Sequence, residues 1–589
     1  MLAFTQIELI SNLLTKIMKK HKTRRKCRLI ALFGSSLFCV MASPVAFAVV
    51  SGDELFQRQT QQQDALQQQF EAKSPDVRLQ PPVDKSDSTQ FPVESPCFDI
   101  TRVEVGGVEA FPRWVPLQRL ADKAQGQCLG VKGINQLMGQ LQNRLVLHGW
   151  VTARVLAPEQ DLTTGTLKLR VIPGKVHQVR FADGSNTHAT LFTAMPAHAG
   201  NLLDLRDIEQ GLENLQRLPT VQAAMDIEPS DAPGESDIVI TRQQSKPWRV
   251  NAWVDNTGTD DTGKNQAGLM LAWDNPTSLS DLLYVTVSQD TLFSKDKGST
   301  NYSGHYSVPF GYWQLAFTGS HYEYKQTIAG LNSDIEYTGK SESLNAQLSR
   351  LLFRNDVAKT TLNYGVTVKE TRNFVNNTEI GTQKRRTSSW KLGLDHRQYL
   401  GSVVWDSNLS YQHGTRWFGA MPAFEEYRPY GSEDYATALA KIVTFSTSVT
   451  TPFTLGEQQF QHRIEYNRQL SSTPLTPQDQ FSIGGRWTVR GFDGERTLNA
   501  DSGWTVKNTL TWQTPIPQQA LYIGADYGHV SGHNADWRIG NHLAGGAIGL
   551  QGALPWNISY DLSVGTPFSK PDGFQTDNAT FAFSLNWAY

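Results

Sequence analysis

The chain has 589 residues, 54 Lys and Arg against 56 Asp and Glu, and a net charge of −2, so its length excludes a single compact domain and its charge gives no pointer to nucleic acid. A mean hydropathy of −0.39 excludes a bundle of membrane helices. Only 19% charged residues, 10% aromatics and 47 glycines fit a transmembrane barrel, whose apolar lipid face and polar lumen average out.

Lys19, Lys20, Lys22, Arg24, Arg25, Lys26 and Arg28 form a basic stretch, residues 29–40 are apolar, and Ala46-Phe47-Ala48 is a small-x-small triplet. This order predicts a secretory signal over 1–48, cleaved after Ala48, with Met18 as a natural opening. A membrane anchor is the competing reading, but the apolar stretch is short for one. Of four cysteines, Cys27 and Cys39 leave with the signal. Cys97 and Cys128 remain, and an oxidising periplasm favours one disulfide between them over two free buried thiols.

Residues 49–71 read as a Gln-rich helix in which Leu55, Phe56, Leu66 and Phe70 share one narrow face. So little apolar surface suits either a wet, polar cavity or a solvated leader. Residues 72–96 carry Pro75, Pro81, Pro82, Pro92 and Pro96 and read as an extended linker.

Residues 97–174 follow a β-α-α-β-β plan. Ile100, Val103 and Val105 mark a strand, residues 116–124 and the stripe Ile134, Leu137, Leu141, Leu145 and Val146 mark helices, and a hairpin turns at Thr164-Gly165. Residues 175–246 repeat the plan, with Leu205, Ile208, Leu212, Leu215 and Leu218 on the second helix before Pro219. From Trp248 the helical period gives way to alternation. Phe581, Phe583, Leu585, Trp587 and Tyr589 interleave with small or polar residues, as do Leu283, Val285 and Val287. Large side chains on alternate positions are those of strands facing lipid with a polar lumen behind. About sixteen such segments fit into 247–589, an even number that suits closure; a soluble β-sandwich would not turn so many large residues outward. The longest interruption, 470–502, contains Gly484-Gly485-Arg486-Trp487-Thr488-Val489-Arg490-Gly491-Phe492, and a loop of that length is a functional candidate. The chain carries no nucleotide-binding phosphate loop, no nucleophile elbow, no zinc-protease helix and no C-x-x-C. Its thirteen histidines lack ligand spacing. Neither catalysis nor a cofactor or metal is expected.

Val489-Arg490-Gly491-Phe492 resembles the VRGY/F tetrad of the Omp85 superfamily, carried on the sixth extracellular loop. Gly524-Ala525-Asp526-Tyr527-Gly528 resembles its G-x-D-x-G partner on strand thirteen. Two small units before a sixteen-stranded barrel resemble the POTRA domains of two-partner secretion (TpsB) transporters. Cys97-Phe98-x-Ile100 with Cys128-Leu129 resembles the first POTRA, residues 207–212 the second, and Asp255-Asn256-x-Gly258 with Thr262-Gly263 the first barrel strand. Within that branch the chain looks most like CdiB-type and haemolysin-activator (ShlB/FhaC/HecB-like) exporters.

The resemblance implies a loop folded back into the lumen, where Arg490 meets Asp526, Gly491 turns the backbone and Phe492 packs on the wall, with Gly524 and Gly528 flanking the aspartate. It implies that residues 49–71 plug the barrel and that the client is one large TpsA/CdiA-like exoprotein: a growth-inhibition toxin, haemolysin or adhesin. The small sheets of the POTRA units, with exposed edges, suit an extended client strand, against the alternative of a mere structural spacer. Outer-membrane lipid and the barrel-assembly machinery are the other expected partners. With no ATP to spend, folding of the client outside is the expected bias. A barrel-assembly insertase competes, but usually carries more POTRA units; a passive porin or receptor competes too, but needs no periplasmic repeats.

Overall fold

Alternating side chains after Trp248 close into the barrel that the sequence predicts. The computed structural model describes residues 52–70, 76–79, 90–291, 294–329, 333–427, 435–533 and 538–589. The signal with Ala48, Cys27 and Cys39, most of the linker, and the side chain of Phe70 lie outside the described residues.

Helix α1 (Gly52–Phe70) comes first. In the first small unit, strand Thr166–Ile172 is central, parallel to Arg102–Gly106 and antiparallel to Arg154–Leu156. Short α2 (Leu117–Ala121) and long α3 (Val131–Leu147) cover it. Leu137, Leu141 and Leu145 are buried against the sheet because they recur at helical spacing. Gly149, at φ 104°, turns the chain out of α3 where a side chain would be strained. A second, two-stranded sheet pairs Phe98–Ile100 with Gln127–Leu129 and places Asp99 opposite Cys128. It brings Cys97 within 5.4 Å (Cα to Cα) of Cys128, and the two are disulfide-bonded. Closing a 31-residue separation is worth roughly 3–4 kcal/mol in the chain-entropy model. Glu94, at the end of the linker, accepts the N–H groups of Gly130, Lys132 and Gly133 and so caps α3.

The second unit has the same topology: Glu235–Gln244 lies between parallel Lys175–Phe181 and antiparallel Val221–Pro229. A one-turn helix α4 (Leu191–Ala194) precedes α5 (Leu205–Gln216). Ile208, Leu212 and Leu215 of α5 face the unit's own core. Its other face is also buried, although it carries Arg206, Glu209, Glu213 and Asn214, because it sits on the barrel rim. There Arg354 reaches Glu209 and Glu213, each at 2.9 Å, and Lys359 reaches Glu213 at 2.5 Å. The linker runs through this cluster: Leu79 N–H donates to Glu209 at 2.7 Å, and Arg354 donates to the Val77 carbonyl.

The barrel has sixteen antiparallel strands, from Trp248–Asp255 to Thr580–Ala588, with a two-residue extension at Thr378–Glu379. In the third, Leu282–Asp290, exposed and buried positions alternate strictly. Leu283, Val285 and Val287 point outward while Tyr284, Thr286 and Ser288 line the lumen. Wall height is uneven. The sixth and seventh strands pair from 337 to 354 on one side and 359 to 375 on the other. At the closure the ladder is shorter, 584–588 against 251–255, continued by paired backbone bonds between Val250 and Tyr589.

Candidate functional site

The loop between strands eleven (Gln458–Ser471) and twelve (Ser502–Gln513) enters the lumen. It is held together by a small hairpin, Phe481–Ile483 against Leu498–Ala500. Ile483, Val489, Phe492 and Leu498 from the loop bury themselves against Val530, Leu543 and Phe574 of the wall and its connections. The Phe492 and Phe574 rings meet edge to face at 5.8 Å. The loop therefore carries its own apolar core into a polar cavity.

Arg490 lies beside that core. Its Nε donates to Asp526 Oδ2 at 2.7 Å and its Nη2 to Oδ1 at 2.6 Å. Its backbone N–H donates to Oδ2 at 2.9 Å, and Nη2 also donates to the Asn508 carbonyl at 3.0 Å. The Asp526 side chain is fully buried, and that of Arg490 is 14% exposed. A two-pronged, charge-assisted pair of this kind fixes orientation as well as position.

The spacing G-x-D-x-G follows from the period of a strand. Gly524, Asp526 and Gly528 sit on strand thirteen (Gln519–Ser531) and share its lumen face, with Tyr527 turned outward. A side chain at 524 would collide with the guanidinium, its Cβ falling 2.4 Å from Arg490 Cζ. A Cβ at 528 would press on Val489. Gly491, at φ 98°, touches the wall where a Cβ would lie 2.3 Å from the Thr566 carbonyl oxygen. Hence the tetrad and the strand motif are two halves of one contact.

Helix α1 lies along the same lumen. Leu55 and Phe56 are buried, with Phe56 at 6.1 and 5.6 Å from the rings of Tyr322 and Tyr324. Leu66 packs against a cluster that includes Leu218 and Met270. Among its other ties, Gln62 donates to Thr257 at 2.6 Å, Gln57 to the Gln480 carbonyl at 3.2 Å and Arg58 to the Asp493 carbonyl at 3.2 Å, while Asp64 faces the charges of Lys369 and Lys391. A polar cavity of about 920 Å³ remains beside it, lined by Gln68, Arg397, Arg463, Glu465 and Asn467 among others.

Two groupings with evident structural work are not foreseen by the sequence analysis, although Glu209, Asn256 and Arg486 each fall in a stretch it quotes. One is the Arg354–Glu209–Glu213–Lys359 cluster on the rim. The other is Asn256 with Arg486 at the barrel seam. Asn256 Nδ2 donates to the Phe581 carbonyl at 2.6 Å, and Phe583 N–H donates back to its Oδ1 at 2.9 Å. Arg486, from the loop, donates to the same Oδ1 at 2.6 Å and to the Asn256 carbonyl at 2.7 Å. Among the described residues, no cluster of His, Cys, Asp and Glu could hold a metal ion.

Residues 234–552 match the family of haemolysin secretion/activation proteins ShlB/FhaC/HecB, with POTRA domains matched at 98–174 (ShlB-type) and 175–229. The chain belongs to this family. It is 35% identical to the outer membrane transporter CdiB-2 of Burkholderia pseudomallei, over 92% of this chain and 94% of that protein. It is 28% identical to the outer membrane transporter CdiB of Dickeya dadantii, over 96% and 99%. The solved structure of CdiB from Escherichia coli superposes with a TM-score of 0.81 at 26% identity, covering 92% of this chain and all of that one. Like other ShlB/FhaC/HecB proteins, the chain is an outer-membrane two-partner secretion transporter, with its POTRA domains in the periplasm. The named relatives are transporters.

Proposed function

We propose that this transporter exports one large, unfolded TpsA/CdiA-like exoprotein through the lumen of its barrel. The observation that carries the proposal is a polar-walled lumen filled by two segments of the protein's own chain, each held by identifiable contacts. Residues 49–71 act as a plug that leaves when the client arrives, and 72–96 tether it. Residues 97–174 and 175–246 receive the client, since small sheets with free edges accept an extended strand. Arg490 and Asp526 lock the loop at 470–502 against the wall of 247–589 and set the shape of the exit. Folding of the client outside prevents its return. The barrel-assembly machinery inserts the barrel after cleavage at Ala48. The 35% identity to a CdiB-2 transporter favours a contact-dependent growth-inhibition toxin within the client class.

The test is a reconstituted pair. Cells carrying this chain and the large secreted protein encoded beside it release that protein into the medium; cells lacking this chain do not. Equal release by both cells overturns the assignment.

A further inference from the structure

Outward-facing aromatics mark where the barrel wall meets the periplasmic headgroups. At the turn between the fourth strand (Gly298–Phe310) and the fifth (Trp313–Ala329), Phe310 and Trp313 stand exposed on the outer face, and Arg350 covers the Trp313 ring at 4.8 Å. Aromatic rings backed by a cationic side chain are characteristic of that level of a membrane protein.

Helix α4 of the second POTRA domain is mounted on this same turn. The Gly311 N–H donates to the Thr193 carbonyl at 2.7 Å. Asn214 bridges the Ala194 and Gly311 carbonyls at 2.7 and 2.8 Å, and the Tyr312 hydroxyl donates to Asp207. A second turn holds the preceding residues: Thr190 N–H donates to the Ser278 carbonyl at 2.8 Å, and Asn275 Nδ2 to the His188 carbonyl at 2.5 Å. Ala194 and Met195 fill the domain's core. Phe192 does not. Its side chain is 66% exposed, and its ring lies 6.1 Å from that of Phe310, edge to face. His198 stacks on it at 5.1 Å.

A phenylalanine left this exposed on a water-facing periplasmic domain has no evident use. The same ring held rigidly beside Phe310 continues the apolar outer surface of the barrel past its last strand residue. We propose that Phe192 is a membrane contact: the second POTRA domain rests in the headgroup–acyl boundary of the periplasmic leaflet through this side chain. The occupant is phospholipid, because the patch is continuous with the lipid-facing wall. The backbone ties fix the ring's position in advance, so little ordering entropy opposes its insertion. The contact would set the angle at which the domain meets the membrane. The inference rests on the barrel's outer face lying in lipid.

The full-length transporter, reconstituted in phosphatidylethanolamine-containing vesicles, is spin-labelled at Phe192→Cys, with Phe310→Cys as the lipid-facing reference and Glu159→Cys, exposed in the first POTRA domain, as the aqueous one. Collision with molecular oxygen is compared with collision with a water-soluble nickel chelate. The expected oxygen-to-nickel ratio at 192 is near that at 310 and several-fold above that at 159. A ratio at 192 equal to that at 159, with 310 still lipid-like, overturns the proposal. So does a label at 192 shielded from both reagents, which would mark a second copy or another protein as the occupant. A water-like ratio at 310 would instead remove the barrel orientation on which the inference rests.

Discussion

Two segments of the chain fill the lumen, and they are held there in opposite ways. The loop at 470–502 brings its own apolar core, seats its backbone against wall glycines, and closes on a buried ion pair in which Asp526 accepts three bonds from Arg490. Helix α1 brings two well-buried apolar side chains, Leu55 and Phe56, offers amides and Arg58 to loop and wall oxygens, and turns Asp64 toward the charges of Lys369 and Lys391 without a hydrogen-bonded ion pair like that of the loop. Removing one partner of a buried pair costs roughly 3–5 kcal/mol, whereas a neutral hydrogen bond exchanged for one to water contributes about 1 kcal/mol. The loop is built to stay with the wall. The helix is held by contacts that are individually weaker and more dispersed than the lock of the loop.

The largest effect is expected at the lock. Arg490→Ala or Asp526→Ala leaves the other charge stranded and lowers the population of seated loop by roughly 100-fold or more, the equivalent of that roughly 3–5 kcal/mol. Export measured in the medium falls accordingly, and full secretion by both variants would break the contrast between loop and helix. Next comes deletion of 52–70, which raises ion conductance across planar bilayers while the barrel still folds. Unchanged conductance would mean that the helix blocks nothing. The smallest effect is expected from Gln62→Ala, which removes one bond worth about 1 kcal/mol and raises conductance a few-fold at most. An increase equal to that of the whole deletion would show that the helix is not held by many weak contacts.

Much of this arrangement is legible in the sequence because strands repeat every two residues. That period places Gly524, Asp526 and Gly528 on one face, and counting alternating segments puts them on strand thirteen, where the structure has them. The disulfide between Cys97 and Cys128 follows from cysteine count and compartment. The rim cluster does not show itself. Glu209 and Glu213 occupy the polar side of an amphipathic helix, which in isolation reads as a solvated face, and Arg354 lies far away in sequence. The strands Phe98–Ile100 and Gln127–Leu129 are three residues long, too short to display a period. The location of α1 is equally open in the sequence. Its glutamines suit water as well as they suit the carbonyls of a loop more than 400 residues away, and only the fold decides between them.

Asn256 carries one further consequence. At the place where the first and last strands meet, its side-chain amide does the work of missing ladder rungs, and Arg486 of the inserted loop grips that same amide. Drawing the loop outward therefore takes Arg486 from that amide, while the amide's own bonds to the last strand remain. The inserted loop and the seam of the wall thus meet at one residue, so a displacement of either is felt at the other.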